Sequence, residues 1–198
     1  MRHETTESSI KLVEHFAERG EWAVRWDFKY KGDGIYWYEE DVFNYIPSIE
    51  DIQQLITEWY NKQTTELILY GFVWNDKRVY LSDENKFNYK AIIDEAARIE
   101  SAIKAWDEKH PNLAGKTYIF NGEFEEPTGR PSSLLPVTLK LGTSNTPENF
   151  YVFTTIEELQ EFFSAGVQYL IDAYGRGWYQ IATFDYKPYI KELENLNK

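Results

Sequence analysis

The chain has 198 residues, is 42% hydrophobic and carries a formal net charge of −12. That length suffices for one sizeable core, and the charge repels phosphate backbones, with no Lys/Arg cluster to overcome the repulsion. There is no cysteine, which removes disulfides, thiolate nucleophiles and Cys-based zinc sites.

Between Ser8 and Arg19, Ile10, Val13 and Ala17 recur at helical spacing, with Leu12 and Phe16 widening the stripe. This predicts a helix ended by Gly20. The aromatic arms Trp22–Tyr30 and Ile35–Tyr38 flank Gly32-Asp33-Gly34, the composition of a hairpin turn. Residues 1–46 thus read as an N-terminal helix and β-hairpin extension. Pro47-Ser48 opens a second helix with Ser48 as its cap and Ile52, Leu55, Ile56 and Trp59 as its buried stripe, reaching about Leu69.

Phe72 and Trp74 share one face of a short strand, the chain turns at Asn75-Asp76-Lys77, and Val79 and Leu81 share one face of the return arm. Ser82 then caps a third helix, and Asp83 and Glu84 place negative charge at the positive end of its dipole. This helix runs from about Asp83 to Asp107 and is stopped around Lys109-His110-Pro111. A Gly-, Pro- and Ser-rich excursion at about 111–136 contains Asn121-Gly122, the signature of a type I′ hairpin between Tyr118 and Phe124. Strands follow at Val137–Leu141 and Asn149–Phe153. Thr155-Ile-Glu-Glu158 is a capping box opening a fourth helix with the stripe Leu159, Phe162, Phe163, Val167, Leu170 and Tyr174, closed by Gly175 and Gly177. Trp178–Phe184 reads as a last strand and Tyr189–Leu196 as a short polar helix. Residues 47–198 therefore form an α+β domain of helices packed on short antiparallel β-hairpins. Trp59, Trp74, Trp106 and Trp178 fall on the apolar sides of their elements and are expected to be buried.

Signatures of chemistry are sparse. His3, His15 and His110 have no i, i+4 partner among themselves, and neither a glycine-rich phosphate loop nor a Gly-x-Ser-x-Gly elbow occurs. The expectation is a non-enzymatic protein without metal or cofactor. Acidic groups such as Glu39-Glu40-Asp41 read as solvated faces. The opening Met1-Arg-His-Glu-Thr-Thr-Glu7 lacks the apolar centre of a signal peptide, and no apolar run approaches the ~20 residues that span a bilayer. The chain is therefore expected to be soluble, made in a cytoplasm, and to have no membrane or nucleic-acid partner.

Two stretches suggest contact surfaces. Aromatic residues make up 17% of the chain, and Tyr36-Trp37-Tyr38 beside Glu39-Glu40 has the means to stack on and hydrogen-bond a glycan or a partner protein. The same residues suit an amphipathic hairpin packed on a core. In the third helix Tyr89, Ile92, Ala96, Ile99, Ile103 and Trp106 form a heptad-like row. It suits either a monomer's core stripe or self-association, for which a trimer or higher ring is favoured over a dimer.

Three blocks carry a resemblance: Gly71 through Ala91, Leu135-Pro-Val-Thr-Leu-Lys-Leu-Gly142, and Phe153-Thr-Thr-Ile-Glu-Glu-Leu159 leading to Gly177-Trp178. In pattern and spacing the chain, from about Ile46 to its C-terminus, resembles an uncharacterised domain family of phages and prophages. That family is common in those of Bacteroidales and is often encoded among tail and tail-fibre genes. The resemblance implies an address, the virion or its assembly, with other phage structural proteins as partners. An assembly helper that leaves the particle and a carbohydrate-binding module are the alternatives.

Overall fold

The computed structural model describes residues 1–115, 118–120, 123–125, 127 and 129–196. In chain order the strands and helices are β1 (Arg2–Thr5), β2 (Val13–Phe16), β3 (Glu21–Gly32), β4 (Ile35–Phe43), α1 (Ile49–Tyr70), β5 (Phe72–Trp74), β6 (Lys77–Val79) and α2 (Asp83–Lys109). They continue with β7 (Tyr118–Phe120), β8 (Glu123–Glu125), β9 (Val137–Lys140), β10 (Phe150–Phe153), α3 (Ile156–Thr183) and α4 (Lys187–Leu196). The class is α+β, as expected, and every sheet is antiparallel. Contacts divide the chain into Met1–Thr64 with Gly175–Lys198, here unit 1, and Thr65–Tyr174, unit 2. The expected boundary between residues 46 and 47 falls inside unit 1.

Unit 1 is built on one sheet in the order β1-β4-β3-β2. Its core joins Val13, Val24 and Trp26 from the sheet to Ile52 and Ile56 from α1 and Tyr189 from α4. The segment Ser8–Arg19, expected to be helical, instead supplies β2. Its apolar residues find partners across a ladder: Val13 faces Val24, and His15 stacks on Trp22 with ring centroids 4.5 Å apart. Too few stripe residues recur there to outweigh that non-local pairing. Gly20, at φ 65°, closes the turn between β2 and β3, where the N–H groups of Arg19 and Gly20 both donate to Phe16 O at 3.0 and 2.9 Å. The start of α1 follows its sequence: Ser48 Oγ accepts from Asp51 N at 3.1 Å, and the Asp51 carboxylate accepts from Ser48 N at 2.8 Å. Hydrogen bonding to the Asp51 carboxyl, first from the Ser48 backbone N–H and then from the Ser48 side chain, holds it below its usual range.

The C-terminal end departs most from expectation. Neither Gly175 nor Gly177 ends α3, and Trp178–Phe184, expected as a strand, is helical down to Thr183. Gly177 marks a close approach: a Cβ there would lie 2.2 Å from Thr64 Oγ1 and 3.2 Å from Thr64 Cβ on α1. A glycine at a helix crossing permits backbone approach, and nothing in its sequence neighbourhood separates that role from a stop. Because Gly177 faces α1, the next residue around the helix faces away. Trp178 is accordingly 67% exposed, against the expected burial, while Trp59, Trp74 and Trp106 are half-buried. Gly177→Ala is expected to lower stability despite alanine's better helix propensity. Gly175→Ala, with nothing within 4 Å of the added carbon, is expected to raise it by about 0.5–1 kcal/mol. Denaturant midpoints of the two variants check the opposite signs.

Unit 2 gathers Val79, Leu81, Tyr89, Ala96, Leu139, Phe153 and Phe162 among its buried residues. The β5–β6 hairpin forms where read, with Asn75 and Asp76 both at positive φ (44° and 63°), the conformation of a type I′ turn. The Asn75 amide donates to Tyr151 Oη on β10 at 2.7 Å, and Tyr151 Oη in turn donates to the Glu158 carboxylate. Ser82 Oγ accepts from Asn85 N at 3.2 Å and caps α2. Thr155 Oγ1 accepts from Glu158 N at 3.2 Å and caps α3. In the α3 stripe, Leu159 and Phe162 are buried, whereas Val167 and Tyr174 are on the exposed side. β7 and β8 pair as expected, and their Asn121-Gly122 turn lies outside the described residues.

Buried phenols in both units set an alkaline limit. Tyr89 Oη donates to Lys140 O at 2.8 Å, and Tyr189 Oη donates to Arg25 O at 2.7 Å. Burial pushes both phenols well above the ordinary tyrosine value. The fold holds these protons more tightly than the unfolded chain does. Their contribution is therefore complete below about pH 10 and is lost as pH rises beyond it. A titration following phenolate absorbance and far-UV circular dichroism together should show these two groups ionising only as the helical signal falls.

Candidate functional site

The site begins with a β-bulge. Along β3, Trp22, Val24 and Trp26 alternate onto the core face, and Trp26 pairs with Glu39, yet the next pair is Lys29 with Trp37. Three steps on β3 oppose two on β4, so one extra residue is inserted, and Asp27 at φ 55° takes it up. A slip of one residue exchanges the two faces of a strand. Phe28 and Tyr30 thus leave the face of Trp26 and join Tyr36 and Tyr38 on the other side.

The ring contacts follow this geometry. Tyr30 meets Tyr36 at 5.2 Å between centroids, Phe28 stacks on Tyr38 at 5.6 Å, and His3 stacks on Tyr38 at 5.4 Å. Beneath them on the same face lies Arg25, 6% exposed. Arg25 Nε donates to Glu40 at 2.6 Å, and its Nη1 donates to Glu14 at 2.8 Å and to Lys11 O at 3.0 Å. Its guanidinium also lies over the Phe16 and Tyr38 rings at 5.6 and 5.7 Å. Burial works against the charge, but the hydrogen bonds that Arg25 donates to Glu40 and Glu14 outweigh it and raise the Arg25 pKa above its ordinary value. The buried cation thereby anchors the aromatic face through Tyr38.

Phe28, Tyr30 and Tyr36 line a groove of about 420 Å³ together with Ser8, Ser9, Ile10, Leu12 and Glu192. Tyr30 is 63% and Phe28 40% exposed. One Glu192 oxygen accepts from Val13 N at 2.8 Å. Aromatic faces beside two hydroxyls and a carboxylate can stack on the apolar face of a ring and hydrogen-bond groups at its edge.

The structure splits the expected contact trio. Alternation along β4 places Tyr36 and Tyr38 on the groove face and Trp37 on the opposite one. There the Trp37 indole N–H donates to Glu4 at 2.7 Å, with Lys31 and Arg2 over its ring at 5.1 and 5.3 Å. Hydrogen bonds from Lys31 and Trp37 hold the Glu4 carboxyl below its usual range. Trp37 therefore belongs to a polar cluster apart from the groove.

No family model, curated protein or solved structure matches the chain.

The row on α2 is drawn largely inside unit 2. Tyr89, Ala96 and Ile103 are buried, and Ile92, Ile99 and Trp106 are half-buried. Tyr89 and Ala96 belong to the core cluster, and Trp106 stacks on His110 with centroids 4.2 Å apart. Packed this way, the row contributes Tyr89 and Ala96 to the core of unit 2 and keeps Ile92, Ile99 and Trp106 partly accessible. Among the described residues, no group of three or more His, Asp or Glu side chains is placed to hold a metal ion, and no helix is long and apolar enough to cross a membrane.

Sequence reading missed Ser8, Ser9, Phe28, Tyr30 and Glu192. A signal for two of them was available. The Gly32-Asp33-Gly34 turn sets Tyr30 opposite Tyr36, so counting outward from the turn finds the pair. Ser8, Ser9 and Glu192 reach the groove only through tertiary packing.

Proposed function

We propose that the chain is a non-enzymatic structural protein of a phage or prophage, a tail- or fibre-associated part of the virion, and that it holds its partner through the aromatic groove of unit 1. The groove carries the binding half of this reading. Exposed Tyr30 and Phe28, backed by rings stacked on a buried ion-paired arginine, form a rigid surface at little cost in side-chain entropy. The address rests on the resemblance, whose first block coincides with the β5–β6 hairpin and the Ser82-capped start of α2.

Quantitative analysis of purified particles tests the address: a virion part is present at fixed stoichiometry. A protein that is needed for fibre attachment yet missing from finished particles is an assembly helper, and that result overturns the structural assignment.

Carbohydrate is the second reading, favoured by the combination of Tyr30 and Tyr36 with Ser8, Ser9 and Glu192 in one groove. On a glycan array the parent protein should then bind, and a Tyr30→Ala/Tyr36→Ala variant should not. Equal binding by both, or none by either, removes the glycan reading while leaving the particle result untouched.

A further inference from the structure

Unit 2 holds a second concavity, different in chemistry from the groove. It measures about 200 Å³ and is walled by Phe72, Leu81, Phe162, Phe163 and Leu170 together with the ring of Tyr89. The Tyr89 hydroxyl is turned to Lys140 O at 2.8 Å, so the ring contributes its apolar part to the wall. An apolar cavity of about 150 Å³ stays dry and admits benzene; this one is larger.

Two features distinguish it from a packing defect. The first is Gly166, in the middle of α3, which lines the cavity and leaves the wall open where any other residue would place a side chain. A Cβ there would meet only the Phe72 ring, at 3.4 Å, so close helix packing does not demand glycine. Glycine within a helix costs about 1 kcal/mol relative to alanine. The second is the pair of lysines that border it. Lys86 and Lys90, one turn apart on α2, both border the cavity. Their present partners are the exposed carboxylates of Asp83 and Asp94, each at 2.7 Å. Surface pairs of this kind are worth about 0–1 kcal/mol, so an incoming anion can replace them at small cost. In a chain of net charge −12, two lysines bordering an apolar hole favour an anionic head on an apolar body.

We propose that this cavity binds a small amphiphilic carboxylate of the medium-chain fatty acid type, with its chain against Phe162 and Gly166 and its carboxylate between Lys86 and Lys90. The site is independent of the unit 1 groove and of the virion assignment.

Calorimetric titration of the full chain with decanoate, below its micellar concentration, and with decanol tests it. Decanoate should bind at one saturable site, and decanol at least tenfold more weakly. Lys86→Gln/Lys90→Gln removes the two charges while keeping most of each stem, and should weaken decanoate at least tenfold while leaving decanol unchanged. Gly166→Leu should fill the cavity and abolish both, with circular dichroism checking its fold; if it does not fold, Val167→Phe at the rim takes its place. No saturable decanoate binding to the parent, equal affinity for decanoate and decanol, or decanoate binding indifferent to the lysine pair overturns the proposal.

Discussion

Gly71→Ala is expected to be among the most damaging single-methyl changes available in this chain. Gly71 ends α1 and begins β5, donating its N–H to Leu67 O and Ile68 O at 3.2 and 3.0 Å with φ at 69°. An L-residue at that φ costs about 1–2 kcal/mol. An added Cβ would also lie 1.7 Å from the Val79 carbonyl oxygen, which is backbone and has no rotamer to retreat into. Val79 is the Cα partner of Phe72 in the hairpin, so relief requires opening the β5–β6 ladder. With overpacking at about 1–3 kcal/mol, the total is about 2–5 kcal/mol, read from the denaturant midpoint at unchanged m. A midpoint within error of the parent would show that the hairpin does not lie over Gly71 as described.

Phe162→Ala is the second large effect. Phe162 is 2% exposed, and its ring meets those of Phe153, Tyr89, Trp74 and Phe72 at 5.0, 5.3, 5.5 and 5.9 Å. Truncating it removes transfer energy and leaves a hole bounded by four rigid rings that collapse poorly, for about 3–5 kcal/mol. At about 2–4 °C per kcal/mol for a chain of this size, the melting temperature should fall by roughly 6–20 °C. Trp74→Phe should cost far less. The Trp74 indole nitrogen is buried without a hydrogen-bond partner among the described residues, so removing that donor offsets part of the lost packing.

What the sequence disclosed was local. Asn75-Asp76, Ser82 and Thr155 act within four residues of themselves, through positive φ or a single cap hydrogen bond, and each does in the structure what its residue type suggests. What it concealed was set by distant partners. Val13 became a strand residue because Val24 faces it. Gly177 became a crossing point because Thr64 is there, and Trp178 is exposed as a consequence. The candidate site was half legible for the same reason. Tyr36 and Tyr38 were singled out for their residue type, but their separation from Trp37 required the strand alternation. Their union with Phe28 and Tyr30 required the bulge, which no hydrophobic pattern on β3 announces.

The extra residue at Asp27 also bears on how this surface can change over generations. Substitutions on β3 alter the groove one side chain at a time. Deleting a single codon at position 27 would remove the bulge and restore strict alternation with every face kept: Phe28 and Tyr30 would stay beside Tyr38 and Tyr36, and Lys29 opposite Trp37. One in-frame event would therefore take away the local bend and added twist of β3 while leaving the aromatic surface made of the same residues. Among related chains, the aromatic face should therefore persist whether or not the segment between Trp26 and the Gly32-Asp33-Gly34 turn keeps its extra residue, and the shorter segment should form the straighter strand.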